Sequence, residues 1–326
     1  MGAIVGKSSA DAVKFLREGF PVALPTETVY GLAAPLSNIQ AIESIYRLKE
    51  RPANNPLIVH VLDFEQLDYV AYTFPLVKRL VDAFWPGPLT LVLPKKNTVP
   101  PQVTAQQASV AVRAPQAPLF REVLRLLGEP LVAPSANKFQ QVSPTCAAHV
   151  LEGMGDVLQY ILDGGSCKFG LESTILSLLD NDRPEVLRYG PIGPKELESV
   201  LGSPVYLPRK QIWQDAEAKL SPGLFKKHYS PKTPLFLVNS LDGFVLPERF
   251  FNKRCAYIRY RGENQGSHYA LTTHDDLYEA ANNLYALLQQ LDAEHYDVLF
   301  AELAPNVGIG LAINDRLQRA GKFLNE

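Results

Sequence analysis

One aperiodic stretch constrains this chain more than any other feature. From Tyr206 to Pro234 no helical or alternating hydrophobic rhythm is sustained, and Pro208, Pro222, Pro231 and Pro234 interrupt it. A segment that long without rhythm does not belong inside one compact domain. It divides the 326 residues into a first unit over 1–205, a linker over 206–234 and a second unit over 235–326. Each unit is large enough to hold a core of its own.

The first unit mixes both element types. SSADAVKFLRE (8–18) reads as a helix capped by Ser8 or Ser9, and NIQAIESIYRLKE (38–50) as a helix capped by Asn38 and ended by Pro52. Helices are also expected over 75–84, in PLFREVLRLLG, over 145–153 and in KELESVL. LIVHVL, LTLVLP, SVAVRAP, LVAPSAN, YILDGG, STILSLL and EVLRYG read as strands. Several strands fall next to one another, so the expectation is an α+β unit with a twisted mixed sheet and flanking helices.

The second unit repeats a simpler order. LFLVN, CAYIRY and YDVLFAEL are strands. DDLYEAANNLYALLQQLD is a helix with Leu277, Ala281, Leu284, Leu288 and Leu291 on one side, and GIGLAINDRLQRAG is another. This predicts a small, open, Rossmann-like α/β sheet.

Charge and motifs exclude several functions. Lys plus Arg is 32 and Asp plus Glu is 34, without the basic excess usual in dedicated nucleic-acid binders. Residues 236–326 carry 8 basic and 12 acidic side chains, so anionic ligands are expected on the first unit. Cys146, Cys167 and Cys255 form no C-x-x-C pair, which points to reduced thiols and a cytoplasmic setting rather than to a zinc site. No apolar run is long enough to span a bilayer, and MGAIVGKSSADAVKF lacks a signal-peptide core. MGAIVGKS misses the phosphate-loop pattern, because Met1 stands where Gly is required. Neither G-x-S-x-G nor H-E-x-x-H occurs.

Four polar clusters remain, all in the first unit. Thr26, Glu27, Thr28 and Tyr30 sit in a strand-end turn closed by Gly31. Lys49 and Arg51 precede a rigid loop built from Pro52, Asn54, Asn55 and Pro56, which suits phosphate. The residues alone make His60, inside LIVHVL, a core histidine. Ser109 and Arg113 end a strand, followed downstream by Ser135, Asn137, Ser143 and Thr145. Glu172, Ser173, Thr174 and Arg188 form the fourth cluster. Lys49, Arg51, Arg113 and Arg188 with hydroxyl and amide donors match a polyanion such as a nucleoside triphosphate.

In order along the chain, PTETVYGL (25–32), K-x-R at 49–51 with NNPL, SAN (135–137) with SPT (143–145), LESTI (171–175) and LRYGPI (187–192) resemble the YrdC-like L-threonylcarbamoyladenylate synthases. SPGLFKKHYSP (221–231) and GIGLAINDRLQRA (308–320) resemble the linker and closing segment of their two-domain form. The resemblance implies synthesis of L-threonylcarbamoyl-AMP and pyrophosphate from L-threonine, bicarbonate or CO2, and ATP. Downstream transferase proteins would then modify tRNA beside the anticodon.

It implies that Thr28, His60, Arg113, Ala133 and Ser173 contact threonine. Arg51, Asn55, Ser109, Ser135, Asn137, Ser143 and Arg188 would contact ATP. Lys49 and Arg51 would lie at the reacting groups. Mg2+ would arrive with ATP, without side-chain ligands of its own. The linker is a candidate lid through Ser221, Pro222, Gly223, His228 and Tyr229. The alternative is an RNA-binding or nucleotide-sensing regulatory protein of the same fold.

Overall fold

A computed structural model describes residues 2–207 and 228–324. Two sheets organise them. The first has ten strands in the order Ile4–Gly6, Tyr160–Leu162, Val22–Leu24, Gly31–Pro35, Leu131–Val132, Ile58–His60, Ser109–Arg113, Leu89–Pro94, Thr174–Ser177 and Glu185–Arg188. It contains both parallel and antiparallel pairs, the mixed sheet expected from the sequence. The second has five strands, His268–Thr272, Cys255–Arg261, Val298–Glu302, Leu235–Val238 and Lys322–Phe323, all parallel.

Local chemistry sets the helix ends. Ser8 accepts from the Asp11 N–H and Asn38 from the Ala41 N–H, each satisfying an orphan donor of the first turn. Helix Ile39–Lys49 does not run up to Pro52. Glu50 turns left-handed at φ 54°, and the Arg51 N–H bonds back to the Tyr46 carbonyl. That C-terminal turn throws Arg51 out of the helix and into the sheet's interior.

Strand Ile4–Gly6, helix Phe64–Val70, strand His268–Thr272 and strand Lys322–Phe323 have no counterpart in the sequence reading. Each is seven residues or fewer, too short for its rhythm to stand out.

Both faces of the first sheet are covered. One core includes Leu32, Ile42, Val59 and Leu91, and the other Leu16, Leu24, Phe120 and Leu162. The core on one face of the second sheet, around Leu284, Leu288 and Ile313, also takes in Val29, Val142, Leu171 and Tyr229. The two sheets therefore share apolar interior, which opposes their separation.

Candidate active site

The site grows from adjacent strand ends. Ile58–His60 runs parallel to Ser109–Arg113 with His60 directly opposite Arg113, so both side chains leave the same face. Gly31 bridges Ser135 across the sheet. Ahead of it the Thr26 hydroxyl accepts from the N–H groups of Thr28 and Val29, at 3.0 and 3.1 Å, and locks the turn. Gly190 lets a third segment approach, since a Cβ there would lie 2.2 Å from the Thr174 nitrogen.

These elements line a common cavity. All five residues expected at threonine line it: Thr28, His60, Arg113, Ala133 and Ser173. Arg51, Ser135 and Arg188 line it too, together with His228 and Tyr229. Lys49, Asn55, Ser109, Asn137 and Ser143 do not line it, although each is buried. Asn137 opens instead on a neighbouring cavity shared with Ser230, and Ser221, Pro222 and Gly223 lie outside the described residues.

The buried cations are held in different ways. Lys49 is fully buried and donates to the carbonyls of Ser135, at 2.6 Å, and Asn137. Burial, with Arg51 nearby, pushes its ammonium well below the usual lysine range. Lys49 thus braces the S-A-N segment from behind.

Arg51 donates to the carbonyls of Asn55 and Pro56, at 3.1 and 2.6 Å. Burial, with Arg188 adding to it, brings Arg51 down to about 10 against the pull of Tyr46 and Tyr229. Arg188 donates to the carbonyl and hydroxyl of Ser173, at 3.0 and 3.1 Å, and that hydroxyl also meets Thr90 at 2.7 Å. Among the described residues neither Arg51 nor Arg188 forms an ion pair. Among the described residues the fully buried Asn55 side chain has no hydrogen-bond partner for either amide atom. Unpaired buried cations and an unsatisfied amide are costly unless an anionic, polar ligand completes them.

Glu172 takes a different partner. It is buried, accepts from Ser143 at 2.6 Å and Tyr285 at 3.1 Å, and pairs with Arg316 of helix Gly310–Ala320 at 2.9 Å. Arg316 also donates to the Tyr189 carbonyl at 2.9 Å and stands 4.9 Å from the centre of the Tyr229 ring. Burial raises the Glu172 carboxyl, but Arg316, Arg188 and these hydrogen bonds outweigh it and bring it down to about 2. The sequence placed Glu172 in a polar cluster, but no signal joined it to a partner 144 residues away.

His60 and His228 are both buried and held neutral. Burial lowers His60 to about 3, helped by Arg113 and opposed by its bond to the Ile58 carbonyl. Burial lowers His228 to about 3 as well, opposed by Glu172 and aided by Arg51, Lys49 and Arg188. Their folded values lie below the ordinary 6.5, so the unfolded chain binds their protons first. Stability from this source is whole above pH 6.5 and is lost as pH falls toward 3. Each histidine adds a slope of up to about 1.4 kcal/mol per pH unit. Melting followed from pH 7 to 4 should show that slope, and His228→Asn should remove one proton's share. An identical slope in the variant would rule His228 out as its source.

Two family models match the chain. Residues 14–190 match Sua5/YciO/YrdC, described as "Telomere recombination", and residues 192–321 match "Threonylcarbamoyl-AMP synthase, C-terminal domain". The chain belongs to the Sua5/YciO/YrdC family.

Among curated members of that family, the Threonylcarbamoyl-AMP synthase of Bacillus subtilis (strain 168) is 38% identical, covering 95% of this chain and 92% of its own. That of Pyrococcus abyssi (strain GE5 / Orsay) is 36% identical, covering 96% and 93%. The structure of P. abyssi Sua5 complexed with L-threonine superposes with a TM-score of 0.88 at 33% identity, over 99% of both chains. The expected α+β unit and small α/β unit thus form the two-sheet architecture of a full-length Sua5/YciO/YrdC relative.

Proposed function

We infer that this chain makes L-threonylcarbamoyl-AMP and pyrophosphate from L-threonine, bicarbonate or CO2, and ATP. The single observation that carries the reading is the pair of buried, unpaired guanidiniums, Arg51 and Arg188, facing the same cavity as Arg113, Thr28 and Ser173. Two of the cations await an anion, and the hydroxyls beside them suit a hydroxylated amino acid.

The threonine amine adds to CO2 to give a carbamate and releases a proton. One carbamate oxygen attacks the α-phosphorus of ATP, and the bond to the bridging oxygen breaks to release pyrophosphate. Both reactants are anions, so their approach is opposed until fixed cations offset it. Arg51 and Arg188 do so at the phosphates, and Arg113 holds the amino-acid carboxylate. Asn55, Ser109, Ser135, Asn137 and Ser143 complete the nucleotide side. Asn55 supplies an amide that lacks partners, and Lys49 holds the Ser135–Asn137 backbone in place.

The Thr28 hydroxyl and Ser173 face the threonine side chain. His60, neutral and buried, accepts or donates one hydrogen bond without adding charge. The Ala133 N–H is taken by the Ile58 carbonyl, which leaves its own carbonyl for the substrate.

No three His, Cys, Asp or Glu side chains gather as a metal site among the described residues. We propose that Mg2+ enters as the counter-ion of ATP.

We assign residues 1–205 as the catalytic unit, 206–234 as a linker and lid, and 235–326 as the supporting unit. His228 and Tyr229 in the cavity lining support the lid, and a mixed anhydride needs exclusion of water. No helix is long and apolar enough to cross a membrane among the described residues, and we place the reaction in the cytoplasm, where transferase proteins consume the product on tRNA.

A rapid product assay with ATP, Mg2+ and bicarbonate tests the reading. Threonine should give pyrophosphate and a mass of threonylcarbamoyl-AMP. Serine, one methyl shorter, should be used about 10- to 200-fold less well. ADP and phosphate instead would put the attack at the γ-phosphorus and sink this mechanism. No pyrophosphate with any amino acid would favour a binding or regulatory role.

A further inference from the structure

One carboxylate at the site, Glu27, has no part in the proposed reaction. It is buried, and both its oxygens are committed. One accepts from Arg113 Nη2 at 2.6 Å, the other from the Gln116 backbone N–H at 3.0 Å. Its own carbonyl accepts from the Phe169 N–H at 2.9 Å. We propose that Glu27 is a positioning residue that reserves Arg113 for the amino-acid carboxylate and keeps phosphate away from it. The inference rests on the reading that threonine binds at Arg113.

Donor counting supports the first half. A guanidinium carries five N–H groups. Arg113 spends one from Nε on the Gly87 carbonyl at 3.2 Å, one from Nη1 on Thr28 at 2.8 Å and one from Nη2 on Glu27. One N–H remains on each terminal nitrogen, the two-pronged donor that a carboxylate accepts bidentately. Without Glu27 the guanidinium loses one of its three tethers, and that fork is no longer fixed.

Charge supports the second half. Arg51 and Arg188 are unpaired and attract phosphate, whereas the Arg113–Glu27 pair carries no net charge. A small inorganic anion gains little from a neutralised arginine, but a carboxylate that matches both prongs gains two aligned hydrogen bonds. Pairing one arginine and leaving two unpaired sorts the two substrates within one cavity.

Glu27→Gln keeps the shape and removes the charge. Its KM for threonine should rise roughly 10- to 100-fold, the effect of losing one charge-assisted hydrogen bond. Its KM for ATP should stay within about twofold, as for a site without shared partners. Inorganic phosphate should become a competitive inhibitor against threonine in the variant and should not compete in the parent protein. A KM for both substrates that rises together, a KM that does not move, or no new competition would overturn the proposal.

Glu27→Ala gives a second route that does not depend on the isostere. Glu27 lies between the cavity and an open crevice of about 760 Å³ that also includes Gln116 and Lys168. Formate entering there should lower the raised threonine KM, and failure of formate to do so counts against the proposal. Arg113→Ala separates this inference from the reading beneath it. If that variant leaves threonine KM unchanged, the threonine site itself is misplaced. If Arg113→Ala raises it and Glu27→Gln does not, only the role of Glu27 fails.

Discussion

Arg316→Ala should cost about 3–5 kcal/mol of folding stability, the usual effect of removing one partner from a buried ion pair. The loss comes mainly from what remains. Glu172 stays buried with Ser143, Tyr285 and Arg188 but without the guanidinium that pairs with it. The Tyr189 carbonyl loses a donor, and the Tyr229 ring loses the guanidinium beside it. Urea denaturation would measure the change. Arg316→Met with Glu172→Gln should recover most of it, because the buried pair is then replaced and Asp315, which also pairs with Arg316, keeps Arg319. A single-variant loss below about 1 kcal/mol, typical of an exposed pair, would mean that Arg316 does not hold the two sheets together.

Arg51→Ala and Arg188→Ala should behave in the opposite way. Each should lower kcat/KM for pyrophosphate release by about 10²–10³, the range for losing one fixed group that stabilises transition-state charge. Each should leave stability unchanged or raise it, because the desolvation of an unpaired buried cation is relieved. Progress curves and melting temperatures on the same preparations check both signs. A variant that loses activity and stability together would show that the arginine serves the fold rather than the reaction. The contrast follows from pairing: Arg316 has a buried carboxylate, whereas Arg51 and Arg188 bond only to carbonyl and hydroxyl oxygens among the described residues.

Much of this was legible in the chain, and the gaps have physical causes. Long rhythmic segments such as Pro118–Leu127 and Leu277–Ala293 announce themselves by periodicity. Strand His268–Thr272 does not, because its alternation is brief and its partner lies in Cys255–Arg261. Thr28, Arg113 and Ser173 stood in polar clusters and His60 was singled out only through the family resemblance, and the fold brings all four to one cavity. Motif spacing could not tell that Lys49 faces two carbonyls behind the S-A-N segment rather than the cavity itself. Nor could it tell that Glu172 answers to Arg316, since long-range pairing leaves no local pattern. Glu27 was visible only as one polar residue in a turn, and its role depends on counting the bonds of Arg113.

The register between Ile58–His60 and Ser109–Arg113 decides where this protein can be engineered. His60 and Arg113 face the same side only while the two strands stay aligned, and a slip of one residue would turn Arg113 to the opposite face. A reading-frame-preserving insertion or deletion in either strand is therefore expected to be as damaging as loss of the arginine itself. The exposed turn at Asp180–Asp182, between strands Thr174–Ser177 and Glu185–Arg188, carries no such constraint. It is the place to insert a fluorophore or an affinity peptide into a chain meant to stay active.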